Sequence, residues 1–119
     1  MTLRWWSTKV RVLCLVEGSE PTDACLQDEQ VFIFRAEDRE AAFTRALALG
    51  REQETEYLNS DEQVVMWRLA RVLTLHEILA DTLDGSEVHS TMSWSEDGNP
   101  AFETLFVPEL QEPEGGTLP

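Results

Sequence analysis

A chain of 119 residues with 42% apolar side chains is sized for one domain with a real core. Its 23 acids against nine bases give a formal charge of −14, and the 48 residues after Arg71 hold ten carboxylates and no lysine or arginine. Such a field repels nucleic acid and anionic membrane and attracts basic proteins or cations, so phosphate-neutralising functions are excluded.

The start, Met1 to Trp6, enters a strand pattern with no apolar h-region, so no signal peptide is expected, and no 18-residue apolar run suggests a membrane span. Trp5 and Trp6, as strand neighbours, point to opposite faces, one into the core and one onto the far face. From Thr8 to Val16 the even positions Thr8, Val10, Val12, Cys14 and Val16 face a core, while Lys9 and Arg11 alternate with them. Leu13 and Leu15 make the far end of that strand apolar on both sides, which suits a central place in a sheet. Cys14 reads as a small buried hydrophobe and Cys25 as part of an acidic loop. Two cysteines make no disulfide framework, and the reducing cytosol is the expected compartment.

Residues 18–23 form a loop by composition, and Val31 to Phe34 is a second strand, antiparallel to the first. Asp38 caps a helix over 39–54, whose apolar stripe is Phe43, Ala46, Leu47 and Gly50. Gly50 either permits a close approach to the sheet or stops the helix early. A short strand over 55–59 and a turn over 59–62 follow. The longest strand spans 63–75, its odd positions Val65, Trp67, Leu69, Leu73 and Leu75 apolar and broken only by Arg71. Residues 76–83 read as a loop or helical turn. Alternation returns over 87–95, with Val88, Met92 and Trp94 on one side, and predicts a further strand. Asp97 to Pro100 is a turn, and Phe102 with Leu105 to Val107 docks as a last strand or extended segment. Residues 1–107 thus make one domain and 108–119 an acidic, proline-rich, disordered tail.

The order β-β-α-β-β-β predicts an α+β fold: an antiparallel sheet of about five strands with one amphipathic helix on one face. Trp5, Trp67 and Trp94 cannot all hide under one helix, so the second face is covered by the C-terminal segment or by another protein.

No constellation in the chain specifies catalysis. His76-Glu77 opens like a zincin motif, but position 80 is Ala where the second histidine belongs. Asp81 to Glu87 has the composition of a calcium loop without its D-x-D-x-D-G spacing. His89 stands in no nucleophilic spacing with Cys14 or Cys25, and carboxylate-rich surroundings work against a thiolate. No glycine-rich loop follows a strand. Carboxylate pairs such as Glu54/Glu56 or Glu96/Asp97 arise by chance among so many acids. Catalytic residues, cofactors and metal are therefore expected to be absent, although a pocket gathering His89, Tyr57 and an acid would reopen the question.

The opening Trp5-Trp6-Ser7-Thr8-Lys9 is similar to the W-Y-S-x-K strand of a family known as domain of unknown function 4288. The similarity continues through Phe34-Arg35-Ala36-Glu37-Asp38, Glu40 to Phe43, Ala46-Leu47, Gly50, Tyr57, Trp67, Val72-Leu73, Glu77 and 85–90. It covers roughly residues 4–95, departing at Trp6 and His89, where tyrosine is expected. The resemblance implies a fold and a bacterial origin, and it brings no activity or catalytic residues.

The leading functional expectation is a small acidic cytosolic protein that binds a basic protein partner, as immunity proteins and inhibitors do, without nucleic acid or membrane. Asp81, Asp84, Glu87, Glu96 and Asp97 are its expected contacts and Trp94 its apolar anchor. The alternative is a homo-oligomeric structural or small-ligand-binding module without catalysis, a homodimer for example, that uses the open sheet face.

Overall fold

A computed structural model describes residues 2–20, 24–79, 81–95 and 98–110. Strands β1 (Arg4–Val16) and β2 (Gln27–Ala36) are followed by helix α1 (Arg39–Glu52), then by β3 (Thr55–Leu58) and β4 (Val64–Glu77). The four strands form one antiparallel sheet in the order β2-β1-β4-β3. The architecture is α+β, and among the described residues no helix is long and apolar enough to cross a membrane.

The doubly apolar end of β1 suited an interior strand, and β1 lies between β2 and β4. Its even side chains, with Phe34 and Ala36 of β2 and Leu75 and Val72 of β4, make the face that α1 covers. Trp6 is 4% exposed at the centre of that core, and its indole N–H donates to the Ala36 carbonyl at 3.1 Å. Trp6 is thus the inner ring of the tandem pair, with both its bulk and its polar tip accommodated.

Helix α1 begins where its cap predicts: Asp38 is extended, and its Oδ1 accepts the Ala41 amide at 2.8 Å. The buried stripe keeps Ala46 and Gly50 of the expected one and takes Ala42 in place of Phe43. Ala42, Ala46 and Gly50 face the sheet, and Phe43 is 47% exposed. Small side chains let the helix axis approach the strands, and that gain in contact outweighs burying one Phe. Gly50 marks the closest approach, because a Cβ there would stand 2.6 Å from Leu69 Cδ1. The helix stops at Glu52 instead of residue 54. Tightened bonds close its end, from the Gln53 amide to the Gly50 carbonyl and from the Glu54 amide to the Arg51 carbonyl, each 3.1 Å.

The β3–β4 turn is built by Asn59, whose Oδ1 accepts the amides of Asp61 and Gln63, both at 2.9 Å. Strand β4 is longer than expected and takes in His76 and Glu77. Its register against β1 slips twice: Lys9 faces Thr74 but Val10 faces Val72, and Arg11 faces Arg71 but Val12 faces Leu69. Leu73 and Ala70 are therefore bulge residues, and the side-chain parity changes at each. That explains the break at Arg71 in the odd apolar series. Arg71 belongs to the opposite face.

The fifth strand expected over 87–95 does not form; among the described residues that stretch has no strand. Alternation specifies a strand only where an edge offers a partner, and Met92 and Trp94 are each 97% exposed instead. Nor does the 102–107 segment dock: Phe102, Leu105 and Phe106 are all exposed. Pro108–Leu110 form a single 3₁₀ turn, while the rest of the expected tail, like the 21–23 part of the first loop, lies outside the described residues.

Candidate functional site

Helix α1 leaves the other face of the sheet open. The register assigns to that face Trp5, Lys9, Arg11, Leu13 and Leu15 of β1, and Glu29, Val31, Ile33 and Arg35 of β2. From β4 and β3 it adds Met66, Arg68, Arg71, His76 and Glu56. Val31 and Ile33 are each 45% exposed and Leu15 is 42% exposed, a surplus of apolar surface for a finished sheet face. Lys9, Arg11, Arg35, Arg68 and Arg71 are five of the nine bases in the chain. In a protein of charge −14 they stand together on one face.

Their partners are few. Glu29 accepts both Lys9 at 3.4 Å and Arg11 at 3.5 Å, and Glu56 meets Arg68 at 3.4 Å. Arg35 lies over the Trp5 ring, its guanidinium carbon 4.6 Å from the centroid. Arg71 has no ion-pair partner among the described residues and stands directly opposite Arg11 in the ladder. Like charges in that position destabilise a sheet. The Arg11 Nε is also buried without a hydrogen-bond partner. This face suits anionic and apolar groups together.

At the β1 start the chain returns over the same face. The Ile78 amide donates to the Trp5 carbonyl at 2.8 Å, and after the 82–86 turn His89 comes to lie beside His76, ring centroids 6.1 Å apart. These are the two histidines of the chain. With Glu77, Ile78, Leu79, Glu87, Val88 and Ser90 they line a shallow cleft of about 260 Å³. His89 Nε2 is 3.1 Å from Thr91 Oγ1, and Glu77 is ion-paired to Arg4. Among the described residues no three His, Cys, Asp or Glu side chains are grouped as metal ligands. The cleft offers two imidazoles, two carboxylates and the Ser90 hydroxyl to a polar group.

Tyr57 does not join His89. It pairs with Val65 at the opposite end of β4, and its hydroxyl accepts the Trp67 indole N–H at 3.2 Å. Trp67, paired with Cys14, thus lies on the helix side, and of the three tryptophans that could not all hide under one helix, Trp5 is the one in the open sheet surface. Cys14 is half-buried and Cys25 exposed, its Sγ 3.1 Å from the Cys14 carbonyl oxygen.

Of the predicted contacts, Asp81 and Asp84 are exposed around the 82–86 turn and Glu87 is exposed at the cleft. Trp94 is 97% exposed in an irregular segment, and Glu96 and Asp97 lie outside the described residues. Sequence reasoning missed the open-face cations as a group. Lys9 and Arg11 were visible as the polar side of a strand, but joining them to Arg35, Arg68 and Arg71 needs the strand order.

The family model for domain of unknown function 4288 matches residues 5–90. The chain belongs to this family. The match holds all of the sheet but Arg4, the helix and both histidines, and it ends where the irregular aromatic segment begins. No curated protein and no solved structure matches the chain.

Proposed function

We propose that this DUF4288 protein is a recognition module, acting by binding and not by catalysis, whose segment from Asp81 onward engages a basic protein partner as an immunity protein or inhibitor would. The observation that carries this reading is the exposure of Trp94 at 97% and Phe102 at 101%, in a segment that holds carboxylates and no lysine or arginine. Opposite charge speeds encounter between two proteins, and a buried aromatic anchor slows their separation. Asp81, Asp84, Glu87, Glu96 and Asp97 supply the charge, with Trp94 as the anchor.

Pulldown from the native host at low and high salt tests the reading. A partner of high pI, lost as salt rises and lost with Trp94→Ala, is expected. Recovery of no partner, or only of partners insensitive to salt, refutes it. The exposure of Val31 and Ile33 supports a second reading, a homo-oligomeric or small-ligand module built on the open face. Light scattering separates the two, since a stable dimer that shields Trp5 favours the second.

A further inference from the structure

The open sheet face and the C-terminal segment are complementary. One presents five bases against two acids around an apolar floor of Leu15, Val31 and Ile33. The other, residues 91–110, carries Glu96, Asp97, Glu103 and Glu109, with Met92, Trp94 and Phe102 among its exposed apolar side chains. Among the described residues Arg71 has no ion-pair partner on the one, and Met92, Trp94 and Phe102 stand exposed on the other. We infer that the 91–110 segment of the same chain docks on this face, reversibly and driven by charge, closing over the surface that α1 leaves bare.

Three observations carry the inference beyond charge matching. First, the segment starts in place: His89 already lies beside His76, on the open-face side of β4 opposite Ser7, so residue 91 begins at the rim of the face. Second, it reaches. Twenty residues extend to about 66 Å at 3.3 Å each, whereas the 13 residues of β1 span about 43 Å. Third, a face-to-face dimer would bring two sets of five bases together, a repulsion that the acidic segment removes.

The Arg11–Arg71 opposition follows as a consequence. Two guanidiniums that cost stability in an isolated sheet make a paired anion site when a carboxylate lies across them. The structure gives the undocked arrangement, with a radius of gyration of 19.1 Å. A compact chain of this length has about 13.5 Å.

Small-angle scattering of the full chain, in dilute solution at salt from 10 mM to 1 M, reads the two forms. At low salt the radius is expected to fall toward about 14–15 Å. At 1 M, where the screening length is about 3 Å, it should return to about 19 Å. The Trp94 indole N–H resonance, assigned with Trp94→Phe, should shift along the same salt curve. Glu103→Lys with Glu109→Lys lies in an exposed segment that the sheet does not need for folding, and it should hold the chain expanded at low salt. Arg35→Glu with Arg71→Glu should do the same, while Arg45→Glu, exposed on the helix, should leave compaction intact. An unchanged radius and Trp94 signal across the salt range overturns the inference. So does compaction that appears only with a doubled mass, which would assign the docked segment to a second copy. Binding of a basic partner is not part of these measurements, so they stand or fall separately from the proposed function.

Discussion

Gly50→Ala isolates the contact that seats the helix on the sheet. In an exposed helix interior the change would stabilise by about 1 kcal/mol, since glycine loses the most backbone freedom on folding. Here the new methyl would stand 2.6, 3.0 and 3.3 Å from Leu69 Cδ1, Cδ2 and Cγ. All three carbons are too near, so turning one methyl aside does not relieve the clash. The Leu69 backbone is held as well: its amide donates to Glu54 Oε2 at 3.0 Å, and the residue stands opposite Val12 beside a bulge. Overpacking of this kind costs about 1–3 kcal/mol. Set against a propensity gain reduced near the helix end, the net loss is about 1 kcal/mol. With a urea m-value of about 1.5 kcal/mol/M, the midpoint should fall by about 0.7 M without a change in slope. In a Leu69→Ala background the same substitution should become neutral or stabilising, a coupling of about 1–2 kcal/mol. A Gly50→Ala protein as stable as the parent in both backgrounds would refute the close seating of α1 on β4.

Asp38→Ala removes the acceptor of the Ala41 amide and should cost about 1 kcal/mol by chemical denaturation, with Asp38→Asn recovering most of it. Trp6→Ala opens the centre of the core and strands the Ala36 carbonyl. The expected loss is about 3–5 kcal/mol, enough to leave much of the chain unfolded at 37 °C by circular dichroism. Arg71→Thr takes away the charge opposite Arg11 and puts a β-branched residue in the strand. Its thermal midpoint should rise while low-salt compaction weakens; a lowered midpoint would mean that the arginine pair contributes to stability.

What could be read from the sequence follows from how far each signal depends on partners elsewhere. The alternation of β1 and the Asp38 cap are local, and both stand in the structure. The apolar far end of β1 pointed to an interior strand, and β1 is interior in strand order, although Leu15 stands 42% exposed on the open face. The interruption at Arg71 was equally visible, but one anomaly in an apolar series does not distinguish a charged defect from a change of parity. The bulges at Leu73 and Ala70 decide it. The helix stripe was half legible: Ala46 and Gly50 were in it, but Phe43 was preferred on size over Ala42, which completes the i, i+4, i+8 series of small residues. The strand expected over 87–95 failed because pattern alone supplies no pairing edge. The meeting of His76 and His89 across the fold was beyond any local cue.

The placement of charge separates function from stability in this molecule. Selection for solubility alone would leave a chain of −14 with its few bases spread among its many acids, where each could find a partner. Instead five of nine gather on one sheet face, two of them opposed in the ladder, beside apolar side chains that a monomeric sheet would normally cover. Each feature is locally unfavourable, and local rules are broken where a site is kept for something else. The family match runs through that face and stops before the acidic aromatic segment. The sheet surface therefore lies within the matched region, and the segment lies outside it. If the segment docks as inferred, the basic sheet face and a basic partner would compete for the same carboxylates, with salt and partner concentration setting which of the two holds the segment.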